Sequence, residues 1–258
     1  ELHFRVDDDR LETRPMKGTR CRGRWPAEDR AAAEDLRDSD KDRAENVMIV
    51  DLLRNDMGRV SETGTVTVER LFEVERYETL WQMTSTIVSR TREDVPELLA
   101  ALFPSGSVTG APKPRTMEII RALEPHPRGV YCGSIGWWRP GRRAAFSVAI
   151  RTVTLDTESQ RAEYHVGGGV TWSSTAQGEY EECRVKAAVL HVRRPAFELL
   201  ESIRFDGAYF LLDEHMARLR ASADYFGYVF DAAAVREALD REAARLLQAL
   251  GDALAVNP

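Results

Sequence analysis

Apolar and polar positions alternate loosely over residues 2–14, around Asp7-Asp8-Asp9, and this predicts strands about a tight turn that lead into a Pro15-Met-Lys-Gly-Thr19 loop. A polar stretch follows to about residue 38. From the capping residue Ser39, the positions Glu45, Met48, Ile49, Leu52 and Leu53 recur on one helical face, and Gly58 stands where that helix stops. Between 79 and 89 the period changes to two, with Trp81, Met83, Ser85 and Ile87 on one side of a strand. Short helices fit Val95 to Leu102 and Pro114 to Leu123. Residues 130–171 hold three β-rich segments separated by turns, which predicts a meander. A last helix, from about Gln177 to Val192, carries Glu179, Glu182 and Lys186 at i, i+3 and i+7, on one face.

The pattern changes at Arg193-Arg194-Pro195. Beyond it, Phe197 to Phe205 reads as a strand, Asp206-Gly207 as a hairpin turn, Tyr209 to Leu212 as the return strand, and two helices follow. Two domains are therefore expected, residues 1–194 and residues 195–258. The second is shorter than the ~100–150 residues of a typical domain and reads as cut short.

Composition narrows the class. The chain has 258 residues, 43% apolar and 30% charged, enough for one large core and part of another. No apolar run nears the ~20 residues of a membrane span, and no basic leader or small-residue cleavage site opens the chain. Cytoplasm is the expected compartment, with no membrane partner. A net charge of -6 with interspersed signs argues against a nucleic-acid surface. Cys21, Cys132 and Cys183 are widely spaced and form no paired motif, so they suggest neither zinc nor a redox couple.

Three features bear chemistry: Lys17 in its Pro/Gly-bounded loop, glutamates on two separate helices, and glycine-dense loops at Ser105 to Gly110 and at Gly167-Gly168-Gly169. Magnesium takes one or two carboxylates and keeps several waters, so glutamates from two helices suffice for it. Consecutive glycines let backbone N–H groups approach a bound carboxylate, and they also serve ordinary tight turns. Residue types alone go no further than a small anionic substrate.

In combination these segments resemble one family. Pro15-Met-Lys-Gly-Thr-Arg-Cys-Arg-Gly23, the run from Asp42 to Val60, Phe103-Pro-Ser-Gly-Ser-Val-Thr-Gly-Ala-Pro-Lys113, Tyr131-Cys-Gly-Ser-Ile-Gly136, Ala149-Ile-Arg-Thr152, and Gly167-Gly-Gly169 followed by Glu179 to Lys186 are similar in order and spacing to the chorismate-binding enzymes. That family includes anthranilate, aminodeoxychorismate, isochorismate and salicylate synthases. Its members with Lys in the Pro-x-Lys-Gly-Thr loop resemble aminodeoxychorismate synthase component I, where anthranilate and isochorismate synthases typically have Ala. The resemblance implies that chorismate is the substrate and that a lysine amine, Lys17, adds to its ring and expels the C4 hydroxyl before ammonia enters. It implies Mg2+ held by Glu45 and Glu182 with Glu179 beside them. Glu1 is implied as general acid, and Thr109 as a lesser candidate beside it. Arg151 with the backbone of Gly110 and Gly168 is implied to grip the enolpyruvyl carboxylate, Tyr131 to form pocket wall, and Lys186 to balance the glutamates. Gln82 stands where anthranilate synthases carry a His; it can hydrogen-bond the same oxygen but cannot titrate near neutral pH.

From Phe197 the chain resembles the start of a fold-type IV pyridoxal-phosphate enzyme, the group that contains aminodeoxychorismate lyase, and Arg218 matches its phosphate-binding arginine. No lysine follows Lys186, so pyridoxal phosphate is expected only in a complete lyase domain. The two resemblances together imply an α+β fold: half of a two-sheet β-sandwich with flanking helices, then a truncated small α/β lyase domain. They also imply a glutamine amidotransferase partner as the ammonia source.

Overall fold

The computed structural model describes residues 1–172, 174–191 and 197–256. They divide into two compact units, Glu1–Arg22 with Ala32–Arg193, and Gly23–Ala31 with Arg194–Pro258. Among the described residues no helix is long and apolar enough to cross a membrane.

The first unit is built on a seven-stranded antiparallel sheet. Its strands are β1 (Leu2–Asp7), β2 (Arg10–Arg14), β3 (Met16–Cys21), β4 (Thr67–Arg76), β5 (Leu80–Arg90), β6 (Ser134–Arg139) and β7 (Arg143–Val148), in the order β3-β5-β2-β1-β7-β6 with β4 on β5. β2 and β3 line successive halves of one edge of β5, Thr13 opposite Ile87 and Met16 opposite Thr84. Pro15 sits between them because it has no N–H to give, while its carbonyl still accepts from Ser85 N at 3.3 Å. Residues 16–21 are thus strand rather than the predicted loop.

The helices are α1 (Pro26–Asp38), α2 (Asp40–Gly58), α3 (Val95–Leu102), α4 (Lys113–Leu123) and α5 (Ala176–Ala187). α1 falls in the stretch read as merely polar; only Ala33 and Leu36 among its apolar side chains are buried, too narrow a stripe to show in the pattern. Its early residues cluster with the second unit and its later ones with the first. α2 begins at Ser39, whose hydroxyl accepts from Asp42 N at 3.3 Å. Its buried face is Asp42, Asn46, Ile49, Val50, Leu53, Asp56 and Met57, while Met48 is half exposed. The buried face is rotated from the expected one because Asp42, Asn46 and Asp56 turn inward to polar partners, Arg20, Ser85 and Lys113.

Ile49, Val50, Leu53 and Met57 of α2 and Val95, Leu98 and Leu102 of α3 pack on Phe4, Val6, Leu11 and Ile87 of the sheet to form the core. Each such side chain contributes about 1.5–3 kcal/mol through burial. The predicted meander divides in two: β6 and β7 join the main sheet, while β8 (Val153–Asp156) and β9 (Arg161–Tyr164) form a separate pair. Gly167 to Val170 pairs with no strand.

In the second unit, α6 (Leu212–Phe226) ends at Gly227, left-handed with φ 75°, and α7 (Ala232–Val256) starts where the Asp231 carboxylate accepts from Ala233 N and Ala234 N. Phe197 packs edge-on against Phe226 and Tyr228. The expected hairpin reduces to a turn at Asp206-Gly207 and a single bridge between Phe205 and Tyr209. An isolated two-stranded hairpin is marginal, and among the described residues no third strand supports this one. The predicted linker at 193–195 lies outside the described residues.

Candidate active site

The sheet register sets the position of Lys17. Met16 pairs with Thr84 and Thr19 with Gln82, so Lys17 and Gly18 together stand opposite Met83 alone, a two-against-one β-bulge. Gly18 takes φ 91°, and a Cβ there would meet Asp42 Cβ of α2 at 3.0 Å. Beside this close approach, Lys17 Nζ lies 3.3 Å from Glu45 Oε1 of α2, and both side chains are largely buried.

The unpaired glycines gather the other groups. A Cβ on Gly169 would lie 3.0 Å from Glu45 Oε1 and 3.3 Å from Lys17 Nζ. On Gly168 it would collide with Glu179 Oε2 and lie 3.8 Å from Glu182 Oε1. On Gly167 it would stand 2.7 Å from the Tyr131 hydroxyl. Glycine lets the backbone run where these side-chain ends converge. Lys186 Nζ donates to the Gly167 carbonyl at 2.8 Å and to Glu182 Oε1 at 2.6 Å, anchoring this segment to α5. Tyr131 stacks on His165 with centroids 5.5 Å apart, and burial raises its hydroxyl pKa.

Glu1 lies within electrostatic reach of Lys17. Its Oε1 accepts from Ser107 Oγ at 2.5 Å, and burial raises its carboxyl pKa, which favours the protonated form. Arg151 has a left-handed backbone, φ 52°, and its guanidinium approaches Gln82 Oε1 at 3.5 Å. Gln82 is buried, and its Nε2 donates to the Gly18 carbonyl at 2.7 Å while Thr19 Oγ1 donates to its Oε1 at 3.2 Å. Two expected residues are spent within their own loop: Thr109 Oγ1 donates to the Ser105 carbonyl at 3.0 Å, and Gly110 N donates to the Gly106 carbonyl at 3.0 Å. A carboxylate gripped by the Gly110 N–H would have to break that bond.

A divalent cation fits the glutamates. Among the described residues no acidic, histidine or cysteine side chains are already grouped as a metal-ligand set. Glu179 Oε2, however, is buried without a hydrogen-bond partner, in the same small region as Glu182 Oε1. An orphaned anionic oxygen among carboxylates suits a hard cation such as Mg2+. Lys17 and Lys186 meanwhile pair with Glu45 and Glu182. In the second unit the Arg218 guanidinium gives Nε and Nη2 to Glu201, at 2.7 and 2.5 Å.

The residues missed from sequence are supporting ones. Ser174 Oγ donates to Glu179 Oε1 at 2.6 Å and accepts from Thr171 N at 2.9 Å; Ser107 holds Glu1; and Glu75 of β4 accepts from Thr84 Oγ1 at 2.8 Å and from Arg14. The one available signal was Thr175, a capping residue that accepts from Gly178 N and so fixes where α5 begins.

Residues 1–191 match the model of the chorismate binding enzymes. The chain is 49% identical over 193 residues to an aminodeoxychorismate synthase of Streptomyces griseus, covering 74% of this chain and 26% of that protein. It is 42% identical over 192 residues to anthranilate synthase component 1 of Aquifex aeolicus, covering 74% of this chain and 38% of the relative. The crystal structure of anthranilate synthase component I from Streptococcus pneumoniae TIGR4 superposes with a TM-score of 0.64 at 38% identity, over 73% of this chain and 41% of the other. The chain thus spans less than half the length of each of these relatives. Its mixed helix and sheet fold is that of these synthases, and over residues 1–191 the protein belongs to the chorismate binding enzyme family.

Proposed function

We propose that this chain carries the catalytic part of an aminodeoxychorismate synthase, which converts chorismate and ammonia to 4-amino-4-deoxychorismate on the route to p-aminobenzoate and folate. The observation that carries the reading is the convergence of the Lys17 amine with the carboxylates of Glu45, Glu179 and Glu182 on Gly168 and Gly169. Anthranilate synthases are equally recognisable relatives, and Lys17 is the feature that turns the choice.

The chain's own groups supply each step. The Lys17 lone pair forms a bond to a ring carbon, the ring double bonds shift, and the C4–O bond breaks. The oxygen leaves as water with a proton from Glu1, whose raised pKa favours its holding one. Ammonia then bonds at C4, the double bonds shift back, and the C–Nζ bond breaks to restore the lysine amine. The new ammonium returns its proton to Glu1. Arg151 pairs with the enolpyruvyl carboxylate through its forked donors. Glu45, Glu182 and Glu179 would hold Mg2+, which when bound neutralises the ring carboxylate. Ammonia comes from a glutamine amidotransferase, in keeping with the component naming of the Aquifex aeolicus relative.

Incubating the complete protein with chorismate, ammonia and Mg2+ should give 4-amino-4-deoxychorismate, identified by mass. Lys17→Ala should lower amination by about 10^3-fold or more and abolish a chorismate adduct that forms without borohydride. Anthranilate or isochorismate as the product, or an unchanged rate in Lys17→Ala, overturns the reading.

A further inference from the structure

Gln82 is the third residue of β5, and both ends of its carboxamide are bonded within the protein. Its donor end holds the carbonyl of Gly18, the residue that completes the bulge presenting Lys17, at 2.7 Å. Its acceptor end takes Thr19 Oγ1 at 3.2 Å and the guanidinium of Arg151 at 3.5 Å. Gln82 itself is only 4% exposed, so a carboxamide end left without its partner would be costly. Bulges re-aim side chains, and this one has a left-handed glycine wedged against the first turn of α2, so its geometry is fixed from both sides. One carboxamide therefore ties the strand segment bearing the amine to the arginine side chain.

We propose that Gln82 is a positioning residue: it fixes the Lys17 bulge through its donor end and orients Arg151 through its acceptor end, and does not itself bind the substrate. This rests on the reading of Lys17 as nucleophile and Arg151 as carboxylate ligand. The two ends then have separable consequences. Misplacing a nucleophile by about 1 Å can cost 10²-fold in the chemical step. Loss of a carboxylate clamp falls on binding as well.

The test uses two variants of the complete protein, assayed with chorismate, ammonia and Mg2+. Gln82→Glu keeps an acceptor for Arg151 and Thr19 but has no donor for the Gly18 carbonyl. It should lower kcat and the rate of Lys17 adduct formation by about 10- to 100-fold with KM for chorismate held. Gln82→Leu loses both ends and should raise KM in addition. Mg2+-induced thermal stabilisation, which reads folding and the glutamate cluster, should be retained in Gln82→Glu; if Gln82→Leu does not fold, Gln82→Glu carries the kcat arm alone. In a Lys17→Ala background, Gln82→Glu should add almost no further loss, because what it positions is gone. An additive loss there, or a rise in KM without a fall in kcat for Gln82→Glu, overturns the positioning role while leaving Lys17 as nucleophile. Full activity of Lys17→Ala instead removes the functional reading, and this proposal with it.

Discussion

Lys113 and Lys17 each meet a carboxylate of α2, Asp56 at 2.6 Å and Glu45 at 3.3 Å. At the Asp56 end everything is satisfied. Lys113 Nζ also donates to the Leu102 carbonyl at 3.4 Å, and that carbonyl is shared with His3, whose pKa burial lowers. The pair fastens the start of α4 to α2. At the Glu45 end, Lys17 and its partner lie against Gly169, and the next glycine, Gly168, lies against Glu182 and against Glu179, whose Oε2 has no hydrogen-bond partner. A lysine and a carboxylate thus make a fastener at one end of the helix, and at the other they stand beside a glycine segment where a neighbouring carboxylate oxygen is unmet.

The largest effect that would break this contrast is on stability. Asp56→Ala strands the Lys113 ammonium and should cost about 3 kcal/mol or more, read as a shift in the urea midpoint at constant m. Adding Lys113→Met should recover much of it, since an apolar pair replaces an ionic one. A loss below about 1 kcal/mol for the single variant would make the Asp56 pair as weak as a surface pair and dissolve the comparison.

Gly168→Ala tests the other end. Its Cβ would collide with Glu179 Oε2, so the carboxylate must shift, at little cost to folding because it is the far end of a flexible side chain. Wild-type protein should gain thermal stability on adding Mg2+, and the variant should gain much less, because ligand binding stabilises only through an intact site. An undiminished Mg2+ shift in Gly168→Ala would detach the glycine segment from the metal.

These two ends of α2 were not equally legible in the sequence. Glu179, Glu182 and Lys186 show their common face by spacing alone, and α5 bears it out as a helix. Ser39 and Gly58 bound α2 correctly because capping and termination are local events. The inward face of α2 was not legible, since Asp42, Asn46 and Asp56 are buried by partners distant in the chain: Arg20, Ser85 and Lys113. The β-bulge at Lys17 was equally hidden. A bulge is a property of register between two strands, and Pro15-Met-Lys-Gly reads as a loop until β5 is laid beside it. The tail erred the other way: Asp206-Gly207 is a strong local turn signal, but without a third strand the flanking residues make one bridge only.

A smaller effect sharpens the reactive end. Lys17 pairs with Glu45, so a cation bound there would compete with the lysine for one carboxylate. Lys17→Ala should therefore bind Mg2+ more tightly, by about 1 kcal/mol or less given solvent screening, even though it loses amination. Calorimetric titration with Mg2+ separates the two readouts. Weaker Mg2+ binding in Lys17→Ala would mean that the lysine supports the cation site rather than competing for it.

The smallest expected effect concerns a third ionic cluster, in the second unit, where Glu201 accepts from Arg218 at 2.7 and 2.5 Å and lies 2.8 Å from His215 Nδ1. The hydrogen bonds from Arg218 pull the Glu201 carboxyl down from 4.5 to about 2, with burial opposing and His215 assisting. Because the folded value is the lower one, ionised Glu201 contributes stability that is fully present above about 4.5 and is lost as pH falls toward about 2. Unlike Lys113, Arg218 is well exposed, so screening should keep the contribution small and salt-sensitive. Glu201→Gln should lower the urea midpoint slightly at neutral pH, and the difference from wild type should shrink through that acid window and close at its lower end. A difference that stays constant down to pH 2 would show that Glu201 acts through packing and not through its charge, and the cluster would then belong with neither end of α2.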